Sequence, residues 1–402
     1  MGYYPRRRIM GSKQYGNVQM SVTLTRNNCP SDTRPTQATY IVPAGKWKAK
    51  TQIDADALAQ ADLNANGQAY ANTNGSCILR YTTAVQGPSH GFGYTAFEKG
   101  IMLPNGLILC IPSFPSVTSR QGYLGLYNSA SNTFALGPKI GNTARPIMSA
   151  VLLPNGDVIT IPYMHTHIGK YDYTTNTYTN LCALPTDTGN YFYGSVLMQD
   201  GNIMLVPYTR RNIGIYNVAS NTFTVGPQVV STNINNYSFE KGQILPNGKV
   251  LLIPCYSKVF GIYDPVTNTY SDGPAHNLPG ANNYFNGGSL LLPNGKVMMV
   301  PRRDSASSNS CIGLYDYATN TYSNGAVTPF SALNYPAFLP NGKITFGINS
   351  GSLYFYDYLT DTLDQWFNFS ASRYIDVVLD QNNDLVMIPN GYPSEQPFMK
   401  II

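Results

Sequence analysis

The chain has 402 residues, of which 12% are charged, and a formal net charge of +5. Soluble domains ordinarily carry roughly 25% charged residues, so a chain this rich in Tyr (31), Gly (36) and Pro (28) points to turn-rich β structure under a polar, weakly charged surface. Much of the positive charge sits in Arg6, Arg7 and Arg8 and a few later arginines, which argues against a nucleic-acid stripe, and no apolar run approaches the roughly 18 residues of a membrane span.

Residues 1 to 16, with Tyr3, Tyr4, Pro5 and the three arginines, read as an exposed arm. Basic residues with no apolar run after them are not a secretory signal. A small α+β module is expected over 17–76. In VQMSVTLT the residues Val18, Met20, Val22 and Leu24 alternate as in a half-buried strand, TYIVPAGKW suggests a second strand, and DADALAQADLNANGQAYAN reads as a helix. Its packed face is expected at Ala55, Leu58, Ala59, Asp62 and Ala65. Gly67 costs about 1 kcal/mol relative to Ala inside a helix, which weakens the second half of the pattern. The six cysteines, at 29, 77, 110, 182, 255 and 311, form no CxxC. Cys29 and Cys77 bracket the module and could form a disulfide; the other four lie in or beside repeated strands, where a thiol packs as a small hydrophobe.

Beyond the module the text repeats. LPNGLILCIP from Leu103 returns as LPNGDVITIP, MQDGNIMLVP, LPNGKVLLIP, LPNGKVMMVP and LPNGKITFGI, its turn glycine recurring every 45 to 50 residues or so, a propeller period. Each copy is followed by a second string: GLYNSASNTF from Gly125, then GKYDYTTNTY, GIYNVASNTF, GIYDPVTNTY, GLYDYATNTY and YFYDYLTDTL. Asn-Gly between apolar runs predicts a hairpin with a type I′ turn. In the second string Asp264 can bond turn amides, Pro265 presets φ and Asn268 tolerates the left-handed region, so two hairpins make a four-stranded sheet. YIDVVLDQNNDLVMIP, residues 374 to 389, repeats the first hairpin with Asn383 at the glycine position, and PFMKII supplies a third strand. CILRYTTAVQGP, residues 77 to 88, reads as the fourth. The expectation is an all-β, seven-bladed β-propeller over 77–402, closed by both termini.

These strings resemble the Kelch repeat, with an aliphatic-Pro pair where Kelch strands end in two glycines and Tyr or Phe where Kelch units carry Trp. The run from Asn28-Cys29-Pro30 to Asn74-Gly75-Ser76-Cys77 resembles a module found in bacterial surface proteins and phage structural proteins.

Chemistry is harder to find. No Asp-box, H-E-x-x-H, Walker or G-x-S-x-G text occurs in a suitable context. His165 and His167 stand two apart and could face one way as metal ligands, but no third ligand is evident nearby; no metal site, cofactor or enzymatic activity is expected. The turns of one face are short and alike, whereas the loops leaving second strands and joining blades are long and different, and function tends to sit on such loops. Tyr163, His165, His167, Tyr208, Arg210, Arg211, Tyr256, Arg302, Arg303 and Arg373 are the candidate ligand-binding residues of that face, with Tyr191, Tyr193, Tyr237, Tyr284 and Tyr374 in the same loops. The order arm, module and propeller suggests a bacteriophage virion protein, a spike, fibre or tail component. Its arm and module would hold other virion proteins, and its propeller would bind a host-surface glycan or receptor or a neighbouring subunit, as a possible homo-oligomer. The alternatives are a bacterial cell-surface adhesin or lectin and, third, a polysaccharide-active enzyme.

Overall fold

The computed structural model describes residues 13–30, 33–79, 81–141, 146–185, 192–209, 211–229, 238–276, 285, 287–301, 311–328, 333–348, 352–368, 373–391 and 395–402. The chain divides into two compact units, Met1–Arg80 and Tyr81–Ile402. The first begins its pairing at Tyr15–Gly16, against Lys48–Ala49, so the end of the expected arm belongs to it. It also keeps Cys77–Leu79, which pairs with Thr33–Pro35. The fourth strand expected from residue 77 is therefore shorter and later, Ala84–Gln86.

In the first unit Met20–Thr25 and Gln37–Val42 form an antiparallel pair, and one helix, Gln52–Asn74, packs against it. Thr51 caps the helix by accepting from the Asp54 N–H, as an N-cap threonine does. The buried face is Ala55, Ala59, Asp62, Leu63, Gly67 and Ala71; Leu58 and Ala65 are exposed, which corrects the expected face. On that stripe Gly67 packs tightly against the strands: a Cβ there would stand 2.9 Å from Val22 Cγ1. Asp62, buried on that stripe, accepts from Trp47 Nε1 (2.8 Å), Tyr40 Oη (2.9 Å) and Asn66 Nδ2 (2.7 Å) and pairs with Lys46 Nζ at 2.7 Å. The Lys46 ammonium, with the Asn66 and Trp47 donors, holds its carboxyl well below the usual range. A disulfide joins Cys29 to Cys77.

The second unit is built from four-stranded antiparallel meanders. Among the described residues five are separate sheets; the first comprises Phe97–Met102, Leu107–Pro112, Tyr123–Asn128 and Thr133–Lys139. The remaining strands form an eight-stranded sheet. In it the meander beginning at Leu333–Phe338 touches, through the single pair Ile348–Tyr374, a set made of Tyr374–Leu379, Leu385–Pro389, Met399–Ile401 and Ala84–Gln86. The arrangement is propeller-like.

The repeated text explains itself in these sheets. In LPNG turns the Gly106 N–H donates to the Leu103 carbonyl at 3.0 Å and Asn105 Oδ1 accepts from the Leu107 N–H at 3.2 Å. Only the glycine has positive φ, +83°. This is a turn with Pro104 and Asn105 at its centre followed by a left-handed glycine bulge, not the expected type I′ turn centred on Asn-Gly, which would need positive φ at Asn105 as well as Gly106. In the second string the third-strand tyrosine is buried and its hydroxyl donates to the side chain five positions on, as Tyr263 does to Asn268 Oδ1 at 3.1 Å. Asn268 itself sits at φ +53°. Tyr127, Tyr171, Tyr216 and Tyr315 repeat the bond to an asparagine, and Tyr356 makes it to Asp361. Each string thus locks a hairpin from inside the core.

Apolar clusters join consecutive meanders. Leu109, Ile111, Leu124, Ile147, Val158 and Tyr171 bind the first to the second, and Phe97, Ile108, Tyr127, Val386, Ile388 and Phe398 bind the C-terminal strands to the first. Strands packed on both faces read as continuous apolar runs.

Candidate functional site

The first strand of each meander carries the chemistry. Six of these strands show a register shift near their start, as between Phe97 and Lys99, Phe192 and Gly194, Phe239 and Lys241, Asn334 and Pro336, and Tyr374 and Asp376. A bulge re-aims side chains and increases local twist. Here it brings residues of distant sheets together. Glu98 Oε1 accepts from Tyr193 Oη and from Tyr335 Oη, each at 3.3 Å, and its Oε2 accepts from Ser113 Oγ at 3.4 Å. Lys241 Nζ donates to Tyr335 Oη and lies 4.4 Å from the Tyr335 ring centre and 4.9 Å from that of Tyr193. The result is one charge-assisted chain from ammonium through phenol to carboxylate, in which each bond polarises the next.

Tyr193 is also the centre of an aromatic cluster, 5.0 Å from Tyr208 and 5.9 Å from Tyr163 between ring centres. Burial, reinforced by the nearby Glu240, pushes the Tyr208 hydroxyl far up, so it stays protonated as a donor. Beside this cluster a cavity of 380 Å³ is walled by first strands, with Lys99, Lys241, Tyr335 and Asp376 among glycines and serines. Ser149 and Ser195 hydroxyls bond at 2.7 Å and Ser289 Oγ donates to Gln243 at 3.3 Å. Asp376 Oδ2 accepts from the Gly100 N–H at 2.9 Å and Oδ1 from the Val377 N–H at 2.8 Å. Burial nevertheless raises its carboxyl to about 6 and lowers Lys99 below the usual lysine value.

Of the expected site residues, Tyr163 and Tyr208 meet in this cluster. Tyr256 follows the second strand of its own sheet, half-buried, and Arg211 and Arg373 are exposed beside their strands. The His165 ring lies against the His167 backbone, Nδ1 being 3.1 Å from its carbonyl, with the two rings 5.8 Å apart. Among the described residues no group of three or more His, Cys, Asp or Glu is placed to hold a metal. Arg210, Arg302, Arg303, Tyr191, Tyr237 and Tyr284 lie outside the described residues. Tyr193 and Tyr374 are not loop residues: both are buried on first strands. The sequence reading does not single out Glu98, Lys99, Lys241, Tyr335 or Asp376. A signal existed in the repeated FEKG at 97–100 and 239–242.

Residues 15–78 match a family of unknown function, DUF5977. No curated protein sequence matches the chain. Among solved structures, a streptogramin B lyase is 11% identical over 80% of this chain and 97% of its own, with a TM-score of 0.61. A virginiamycin B lyase from Staphylococcus aureus is 9% identical over 79% and 98%, at 0.61. A fungal alcohol oxidase of the AA5 family, in complex with copper, is 14% identical over 80% and 76%, at 0.60. At these identities the likeness concerns the fold alone.

Proposed function

We propose that this is a binding protein of a bacteriophage virion whose second unit is a ring of seven four-stranded blades. The seventh blade would be completed by Ala84–Gln86 from the N-terminal side, pairing with Met399–Ile401. The ligand, a host-surface glycan or receptor, meets the side from which first strands start and second-strand loops leave. One observation carries the binding role: Glu98, Tyr193, Lys241 and Tyr335, from four separate sheets, are held in one hydrogen-bonded and aromatic cluster next to Tyr163 and Tyr208. Tyrosines offer flat apolar faces with a polar tip, suited to sugar rings. The weakly charged surface and the order of arm, module and propeller support the virion assignment, with the first unit holding other virion proteins.

Detection of the chain in purified particles, with attachment of the full chain to host cells lost in Tyr208→Ala, is the expected result. Absence from particles together with fractionation to a bacterial envelope would replace the virion by a surface adhesin using the same face. Product release from host polysaccharide would instead make the chain an enzyme.

A further inference from the structure

The geometry points to an anion-accepting function for the cavity beside the tyrosine cluster: it takes a carboxylate or sulfate group, as borne by an acidic sugar. This rests on the binding role proposed above and names the chemistry of its ligand. The volume, 380 Å³, falls within the range of small-molecule sites, about 300–1,000 Å³.

Charge decides what enters. Among the described residues, three ionisable side chains other than tyrosine line the cavity, Lys99, Lys241 and Asp376. Glu98 and Glu240, next to the lysines in the chain, do not line it. Glu98 is occupied by the hydroxyls of Tyr193, Tyr335 and Ser113, and Glu240 acts on Tyr208. Lys241 is steered by Tyr335 and Tyr193. Lys99 has no hydrogen bond and no ion pair among the described residues, although burial already disfavours its charge. A desolvated ammonium without an acceptor is costly, and an anion in the cavity would remove that cost. Serine hydroxyls and Gln243 supply further neutral contacts for sugar oxygens.

Asp376 opposes an anion while ionised, and it feels both ammonium groups. Protonating it leaves Lys99 and Lys241 as the only charged groups among the described residues of the wall, so anion affinity should rise as pH falls through about 6.

The test is calorimetric titration of the full chain with glucuronic acid, sodium sulfate and glucose, at pH 7.5 and roughly 5.5, beside the host-cell attachment assay. Expected are binding of an anion, no heat from glucose, tighter binding at the lower pH, and at least about tenfold loss in both Lys99→Met and Lys241→Met, equivalent to one lost charge-assisted bond. Lys99→Arg, which keeps the charge, should retain binding and controls for misfolding. Glucuronate binding more tightly than sulfate assigns an acidic sugar; the reverse assigns a free anion. Equal uptake of glucose and glucuronate, no anion uptake, or full retention in both methionine variants overturns the inference. Attachment lost in Tyr208→Ala while no anion binds removes the anion chemistry and leaves the binding face standing. Anion uptake without any attachment does the opposite.

Discussion

Asn383 occupies the turn position that holds Gly106, Gly156, Gly201, Gly248, Gly295 and Gly342 in the other first hairpins, and it does so at φ +58°. A left-handed L-residue costs about 1–2 kcal/mol, less for asparagine than for most. Asn383→Gly should therefore raise stability by up to about 1 kcal/mol, read as a later denaturant midpoint with unchanged slope; a lower midpoint would mean that the Asn383 side chain contributes more than its backbone costs. Asp376 gives a test with a sign. Burial raises its carboxyl to about 6, above the ordinary 3.8 of an unfolded chain. The stability this group contributes is thus complete below the unfolded value and is lost as pH rises through about 6, a change on the order of 3 kcal/mol. Asp376→Asn should be flatter than the parent between pH 4 and 7.5 and more stable at the upper end, as followed by thermal unfolding across pH. A parallel pH profile in the two proteins would show that Asp376 is ionised throughout.

Elements differ in how openly the sequence announces them. Second and third strands with their turns were legible because their residues answer backbone demands: Pro at a fixed φ, Gly or Asn at a positive one, a tyrosine whose hydroxyl must find Asn268 or its equivalents. First strands answer no such demand. Their starts read FEK, IMS, FYG, LNY and YID: the first residue is a buried apolar or aromatic one each time, but the two positions after it follow no common rule, so Tyr193 looked like a loop residue and Lys99, apart from its place in the repeated FEKG, like nothing at all. The candidate site lies on those strands, and it was legible through Tyr163, Tyr208 and Tyr193, the last placed on a loop rather than a strand. The helix shows the same limit. Gly67 looked like a weak point, yet Val22 and Leu24 pack against it so tightly that an added Cβ would stand 2.9 and 3.1 Å from them. Gly67→Ala gains about 1 kcal/mol of helix propensity against about 1–3 kcal/mol of overpacking. A net loss of up to about 2 kcal/mol in unfolding of the full chain is expected, and a gain would show that the two strands can withdraw.

At the scale of the molecule, the C-terminal strand carries the proposed ring closure. Met399–Ile401 pairs on one side with Leu385–Met387 and on the other with Ala84–Gln86, so its removal would bare two edges at once. Around it are two further ties to the first meander. The Phe398 ring stacks on Tyr127 with centres 4.3 Å apart. Lys400 Nζ lies 3.0 Å from both Asp380 Oδ2 and Asp384 Oδ2 and donates to the Ser129 carbonyl at 3.3 Å. The contributions can be separated by graded variants. Lys400→Met leaves two buried carboxylates without their cation and should cost about 3–5 kcal/mol, the usual penalty for breaking rather than replacing a buried pair. Phe398→Ala should cost a similar amount through the cavity it opens. Deleting residues 395–402 removes both ties and the strand pairing, and should lower the melting temperature further than either substitution and broaden the transition, as an open array of sheets frays from its ends. If the deletion costs no more than Phe398→Ala alone, the paired backbone contributes nothing and the sheets are held as an open stack rather than a closed ring.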